Sequence, residues 1–324
     1  MLIDNFQRKV EYLRLSVTDL CNIRCHYCMP VEGIHRTPRS ELLTFEEIAR
    51  LVRVLAGLGI RKVRLTGGEP LIRPGIASLV RLLKRISDLE EVTLTTNGIY
   101  LSRFAVDLKE AGLDRLNIHM DTLSPEKFRT ITRLGEIDSI FRGIAAAQEA
   151  GFRGMKLNCV LQRGINDDEV EAIIRFAADR GMVVRFIEMM PLGPGRDLLP
   201  THFISAGEIR ERLKLTWTLL PTTVSLGSGP AVYYKVGELN TLVGFISPIS
   251  EPFCDTCNRI RISSDGRFQD CLAYDGRISL RDPKKTDEAL AAEIESLMHG
   301  KREGHFGFIQ EVGERNPSMY RIGG

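Results

Sequence analysis

Six short apolar runs, at 12–17, 62–65, 91–95, 115–120, 154–161 and 183–189, punctuate the first part of the chain, and each reads as a β-strand. Amphipathic stretches follow most of them, opened by helix-start signals. Thr44-Phe45-Glu46-Glu47 has the form of a capping box. Ser124-Pro125-Glu126 sets a capping Ser before a first-turn Pro. Asn166-Asp167-Asp168-Glu169 opens a helix predicted to run through Arg180. Strands alternating with helices predict a parallel sheet. Six βα units are too few for a closed eight-strand barrel, so a partial barrel and an open sheet both fit the pattern.

The pattern changes near residue 200. Ser205-Ala206-Gly207-Glu208 caps one more helix, and Gly227-Ser228-Gly229-Pro230, Tyr233-Tyr234 and 241–246 read as turns and short strands. A charged helical stretch follows at 286–299, and the chain ends in Gly323-Gly324. This division predicts a βα domain over 1–215 and a smaller α+β region over 216–324.

Composition narrows the function classes. The 324 residues are 43% hydrophobic and 27% charged, which suits a globular chain large enough to bury a core without covalent staples. A net charge of +2 gives no basic field for nucleic acid or an anionic membrane. The first residues are polar, and no run approaches the length of a membrane span, so a cytoplasmic location is expected.

Seven cysteines carry more information: Cys21, Cys25 and Cys28 form one group, Cys254, Cys257 and Cys271 another, and Cys159 stands apart. In a reducing compartment such spacing favours metal over disulfide. The first group is a C-x3-C-x2-C run in the loop after the first strand, at the end of the sheet where parallel α/β folds place chemistry. Three thiolates bind soft metals well. A four-iron cluster ordinarily takes four ligands, so three would leave one iron open. A zinc site completed by His26 or His35 is the alternative on spacing alone, although closed zinc sites usually pair two short ligand motifs. The second group, C-x2-C-x13-C, also lacks a nearby fourth cysteine and makes half a zinc ribbon at best.

Basic residues interrupt the apolar strands. Arg14, Arg64, Lys156 and Arg185 fall on four different strands, whereas buried parallel strands usually read as continuous apolar runs. An isolated buried cation is costly unless paired. Glu188 can partner one of them. Four together predict convergence on an anionic ligand inside a barrel, and Arg259 and Arg261 extend the set.

The C-x3-C-x2-C run after a first strand, with Tyr27 before the last cysteine, resembles the radical S-adenosylmethionine (SAM) enzymes. Thr66-Gly67-Gly68-Glu69-Pro70 looks like that family's "GGEP" element, whose glycines let the backbone approach a ligand closely. The resemblance implies a partial (β/α)6 TIM-like barrel, with the smaller C-terminal α+β region closing it. It also implies a four-iron cluster whose open iron chelates the amino and carboxylate groups of SAM. Reduction then cleaves a C–S bond and yields a 5′-deoxyadenosyl radical.

Within that superfamily nearly the whole chain resembles the GTP 3′,8-cyclases of molybdenum-cofactor biosynthesis. The motifs that carry this are YLRLSVTDLCNIRCHYCMP at 12–30, VRLTGGEPLIR at 63–73, LTTNG at 94–98, RFIEMMP at 185–191, FCDTCNRIR at 253–261 and the terminal Gly-Gly. By this resemblance Cys21, Cys25 and Cys28 bind the SAM cluster, and Tyr27, Gly68, His119 and Met190 form the SAM site. Cys254, Cys257 and Cys271 hold a second four-iron cluster whose open iron takes the guanine. Arg14, Arg64, Thr95, Lys156, Arg259, Ile260 and Arg261 match GTP-contacting positions. Arg259 and Arg261, with a Gly323-Gly324 tail reaching toward them, match catalytic positions. The implied reaction removes hydrogen from ribose C3′ of GTP and joins C3′ to C8 of guanine. An electron-donor protein, a downstream cyclic pyranopterin monophosphate synthase and a homodimer are further family expectations.

Two positions depart from the family pattern. His119 stands in Asn117-Ile118-His119-Met120-Asp121 where the family usually has Ser, and Val232 stands where a basic residue often precedes Tyr-Tyr. The rival readings are a related radical SAM enzyme acting on another nucleotide, a two-cluster electron carrier, and a zinc-stabilised phospholigand-binding module. Carriers use fully ligated clusters, and two triads beside a large βα domain do not match that.

Overall fold

The computed structural model describes residues 1–34, 36–274, 276, 278–305 and 319. All six predicted strands form: β1 (Tyr12–Ser16), β2 (Lys62–Thr66), β3 (Glu91–Thr96), β4 (Arg115–His119), β5 (Lys156–Leu161) and β6 (Val183–Glu188). Each pairs in parallel with the next. β5 starts two residues later than its apolar run, because Gly154 takes a left-handed φ of +60° that a strand cannot carry.

Between the strands lie α1 (Phe45–Gly57), α2 (Ile76–Lys84), α3 (Leu101–Glu110), α4 (Pro125–Thr132), α5 (Ile137–Glu149) and α6 (Val170–Asp179), followed by α7 (Gly195–His202) and α8 (Ala206–Leu213). The cap signals at Thr44, Ser124 and Ser205 act as expected, whereas α6 starts at Val170 without a side-chain cap and Asn166 Oδ1 instead accepts from Gln162 N–H at 2.8 Å. Glu47 N–H donates to Thr44 Oγ1 at 3.1 Å and Thr44 N–H donates to Glu47 Oε2 at 2.7 Å. Ser124 and Ser205 accept the N–H of Lys127 and Glu208. Such caps contribute about 1 kcal/mol each.

Strand alternation explains the basic residues. Leu13, Leu15, Val63, Leu65, Val92, Leu94, Leu116, Ile118, Leu157 and Phe186 point outward into the apolar core under the helices. Their neighbours Arg14, Arg64, Thr95, Asn117, Asn158 and Arg185 point to the other side, into the lumen.

The C-terminal part adds β7 (Leu219–Pro221), β8 (Val232–Val236), β9 (Thr241–Ile246), β10 (Arg259–Ile262), β11 (Arg267–Gln269), β12 (Ile278–Ser279) and α9 (Asp287–His299). The sheet order is β12-β11-β10-β1-β2-β3-β4-β5-β6-β9-β8-β7. β9 joins β6 and β10 joins β1, both in parallel. The barrel is therefore partial: among the described residues its edges do not hydrogen-bond into a closed ring. The β7–β8 loop lies across the N-terminal ends of the strands, where Ser228 takes hydrogen bonds from Lys62 Nζ at 2.7 Å and Asn258 Nδ2 at 3.4 Å. Among the described residues no helix is long and apolar enough to cross a membrane.

Candidate active site

The first cysteine loop leaves the C-terminal end of β1 and folds onto the end of α4. Arg24 and His26 N–H donate to the Thr132 and Ile131 carbonyls at 2.8 and 2.9 Å, and Cys28 N–H turns back to Cys25 O at 2.9 Å. Burial, reinforced by Glu69, pushes the Cys21 thiol up to about 12. Burial, with Cys21 and Asp121 behind it, pushes Cys28 up to about 12, and burial with Asp121 drives Cys25 upward. These are poor thiolates until a cationic group binds them, which is what an iron–sulfur cluster supplies. His26, a candidate zinc ligand, is instead engaged with Gln162 Oε1 at 2.5 Å, and His35 lies outside the described residues. Among the described residues no three Cys, His, Asp or Glu side chains converge on one metal ion. A cubane sets its three thiolates on three different irons and does not require such convergence.

The glycines of Thr66-Gly67-Gly68 serve the chain itself. Gly67 has φ +151°, and a Cβ there would collide with the Thr18 carbonyl; one on Gly68 would collide with the Leu20 and Asp19 carbonyls. Gly68 and Glu69 N–H donate to Thr18 and Leu20 O at 2.8 and 2.7 Å, stitching this turn to the stretch that enters Cys21. Glu69 is buried, accepting from Leu71 N–H, Thr96 Oγ1 and Asn97 N–H at 3.0, 2.7 and 2.7 Å. Burial nevertheless raises its carboxyl to about 7.

His119 closes a compact network. Its Nε2 lies 2.7 Å from Tyr27 Oη and 3.0 Å from Asp121 Oδ2, and the Tyr27 hydroxyl donates to the same oxygen at 2.7 Å. Burial works against the imidazolium, but Asp121 and Glu69 outweigh it and the net shift is upward. Burial and Asp121 push the Tyr27 hydroxyl upward as well.

Cys254 sits in a short 3-10 turn, Cys254–Thr256, with Cys257 N–H closing onto Cys254 O at 3.0 Å. Cys271 follows β11. His305 Nδ1 lies 3.0 Å from Cys254 Sγ, and Lys301 Nζ lies 3.8 Å from Cys257 Sγ. Burial opposes both thiolates, but His305 outweighs it at Cys254, while Arg259 and Lys301 outweigh it at Cys257; both shift down. Burial raises Cys271.

Between the triads stand the lumen cations. Arg14 faces Arg64 on one side and Arg261 on the other, and Tyr12 faces Arg259. Burial, then Arg261 and Arg64, lowers Arg14 well below the ordinary value. Burial, then Arg259, brings Arg261 down to about 10; burial, then Arg64, does the same to Arg185. Arg185 is held by neutral carbonyls, Asn117 Oδ1 at 2.8 Å and Asn158 Oδ1 at 2.6 Å. Arg64 Nε, Arg259 Nε and Thr95 Oγ1 are buried without a hydrogen-bond partner among the described residues. Repelling cations and unmet donors fit a polyanionic ligand.

Both triads, Tyr27, Gly68, His119 and Met190 (the residues expected at a SAM site), and Arg14, Arg64, Thr95, Arg185, Arg259 and Arg261 all line one cavity. Ile260 does not: alternation turns its side chain into the apolar core, so its expected contact is lost to the side chain. Lys156 also does not line it. Its ammonium donates to the Leu226 carbonyl of the β7–β8 loop. Burial, with Arg185, Arg115 and Arg64, brings it down to about 7. Gly323 and Gly324 lie outside the described residues. Glu69 was noted in the sequence only as part of its motif, and Lys301 and His305 stand in a stretch with no periodicity to mark them.

The model of the Radical SAM superfamily matches residues 15–177, and that of Molybdenum Cofactor Synthesis C matches residues 182–307. The GTP 3′,8-cyclase of Moorella thermoacetica is 44% identical over 99% of both chains. That of Petrotoga mobilis is 41% identical over 100% of both. Among solved structures, Streptococcus suis SuiB bound to S-adenosylmethionine aligns with a TM-score of 0.63 at 12% identity, covering 94% of this chain and 68% of that one, a likeness of fold. With two thiol triads and a cationic lumen on one cavity, and relatives of this identity along its full length, the chain belongs to the radical SAM superfamily and, within it, to the GTP 3′,8-cyclase family.

Proposed function

We propose that this chain is a lyase that cyclises GTP to (8S)-3′,8-cyclo-7,8-dihydroguanosine 5′-triphosphate, the first step of molybdenum-cofactor biosynthesis. The carrying observation is the single cavity on which both cysteine triads open with the arginines between them. Cys21, Cys25 and Cys28 hold one four-iron cluster, and Cys254, Cys257 and Cys271 hold the other. When bound, the first cluster and SAM supply one-electron cleavage of a C–S bond, which begins the chemistry.

The protein's part is placement. Tyr27, Gly68, His119 and Met190 form the SAM site. Arg14, Arg64, Thr95, Arg259 and Arg261 hold GTP between the triads, with the triphosphate meeting the guanidinium groups. Arg259 and Arg261 act nearest the reacting ribose and base, and the resemblance assigns Gly323 and Gly324 to the same step. Lys156 joins the set once it releases Leu226. Burial of this lumen excludes water from reactive groups. Residues 1–215 carry the SAM half of the site and 216–324 the base-binding half. The same reading includes a cytoplasmic location, an external electron-donor protein, a downstream cyclic pyranopterin monophosphate synthase and a homodimer.

Anaerobic incubation of the reconstituted protein with SAM, dithionite and GTP tests the proposal. The expected result is 5′-deoxyadenosine together with the cyclised nucleotide. Formation of 5′-deoxyadenosine with another nucleotide but not with GTP would overturn the substrate, and zinc in place of iron would overturn the chemistry.

A further inference from the structure

The two triads sit in opposite electrostatic surroundings. Near Cys254, Cys257 and Cys271 the chain gathers cations and N–H donors, and among the described residues the one carboxylate that acts on these thiols, Asp270 beside Cys271, is paired with Arg302 at 3.0 Å. Lys301 is 3% exposed, with Nζ 3.8 Å from Cys257 Sγ and 3.1 Å from the Asp270 carbonyl. His305 Nδ1 stands 3.0 Å from Cys254 Sγ while its Nε2 faces the Pro248 carbonyl at 2.7 Å. Arg8 Nη1 donates to the Cys254 carbonyl at 2.7 Å. Among the described residues no carboxylate lies within ion-pair distance of Lys301, and a buried ammonium is costly without an anion. Cluster-bearing thiolates supply that anion.

Near Cys21, Cys25 and Cys28 the charged side chains that act on the thiols are Glu69 and Asp121, while Arg24 and Arg133 are turned to the Val31 and Met29 carbonyls at 3.4 and 3.0 Å. His119, 3.0 Å from Asp121, offsets part of that charge. The donors aimed at sulfur are all neutral: Asn97 Nδ2 at 3.8 Å from Cys21 Sγ, the Asn22 and Ile23 N–H groups at Cys21, and the Tyr27 hydroxyl at Cys25. Reduction adds one negative charge to a cluster. Nearby cations and N–H···S contacts therefore favour it, and nearby carboxylates oppose it.

We propose that Lys301 and His305 are positioning residues that raise the reduction potential of the cluster on Cys254, Cys257 and Cys271 above that of the cluster on Cys21, Cys25 and Cys28. The second cluster then takes up its electron first, and the first remains the stronger reductant, the property that SAM cleavage needs. Each cluster gains one electron from an external low-potential one-electron donor, which is oxidised by one; no covalent bond or proton transfer is involved. The inference rests on the proposal that each triad holds a cluster.

A potentiometric titration of the reconstituted holoenzyme followed by electron paramagnetic resonance tests it, with SAM addition marking the signal of the first cluster. The second cluster is expected to reduce at the higher potential. Lys301→Met should lower its reduced-to-oxidised ratio at fixed potential about tenfold, equivalent to about 59 mV for a one-electron couple. Lys301→Arg should stay near the parent, His305→Gln should shift the ratio the same way, and the first cluster should not move. Reduction of the first cluster before the second, or loaded Lys301→Met and His305→Gln proteins with an unshifted second cluster, would overturn the inference. If Lys301→Met fails to load, the parent order and His305→Gln decide it. Failure of the cluster assignment looks different: iron near about four rather than about eight atoms per chain.

Discussion

Arg14 on β1 and Arg261 on β10 stand opposite each other in parallel register, two guanidinium groups on adjacent strands near opposite ends of the chain. Burial first, and then the charge of Arg261, weakens the hold of Arg14 on its proton. Such a pair opposes folding and favours an anion. Arg261→Gln is expected to weaken GTP binding about tenfold to a hundredfold, the loss of one charge-assisted contact. The same change is expected to raise the thermal midpoint of the GTP-free protein. Calorimetric titration and thermal unfolding of one preparation check both directions; a lowered midpoint would contradict the repulsion.

Lys156 predicts a proton signature. Held down to about 7 by burial and neighbouring arginines, it is largely neutral at pH 8. A phosphate beside it restores the charge, so GTP binding at pH 8 should take up a proton, approaching about one per GTP. Titration calorimetry in buffers of different ionisation enthalpy measures this, and Lys156→Met should abolish it. The sign for stability follows from the same shift. The unfolded lysine keeps its proton up to about 10.5, so stability should rise with pH from about 7 toward that value. Lys156→Met should flatten the rise in denaturant unfolding.

Gly68 tolerates no side chain, because Leu20 O and Asp19 O occupy the space a Cβ would take. Gly68→Ala is expected to displace the segment entering Cys21 and to cost the first cluster while sparing the second. Iron content should fall by about half, with one resonance signal remaining. Loss of both signals together would point to global unfolding instead.

Asp121 receives Tyr27, His119 and the Val160 N–H. His119→Ala leaves this buried carboxylate short of one partner, a cost of about 1–3 kcal/mol in denaturant unfolding. His119→Ser should recover part of it through its hydroxyl. Equal losses in the two variants would mean that the imidazole contributes packing alone.

Much of this was legible because it is local. Apolar runs gave six strands, and Thr44, Ser124 and Ser205 marked helix starts through bonds made within three residues. Alternation also contained the fate of Ile260, since an apolar residue between two arginines on a strand faces away from them. What was not legible is long-range. The capture of Lys156 by Leu226 and the approach of Lys301 to Cys257 depend on loop paths that no periodicity encodes. The placing of β9 beside β6 and of β10 beside β1, on either side of the six first strands, depends on pairings between distant segments.

The pairing of Tyr12 with Arg259 also has a temporal meaning. The first strand to leave the ribosome waits for almost the last before its free edge is covered. Until then the lumen has one wall missing and one thiol triad unmade. The earlier triad, by contrast, draws its surroundings from β1 to β5 and the loops after them, with Gly68, Asn97, Asp121 and Gln162 all packed on its loop. These residues around the first triad are thus all present once Gln162 has been made, whereas the wall between β1 and β10 needs Arg259 as well.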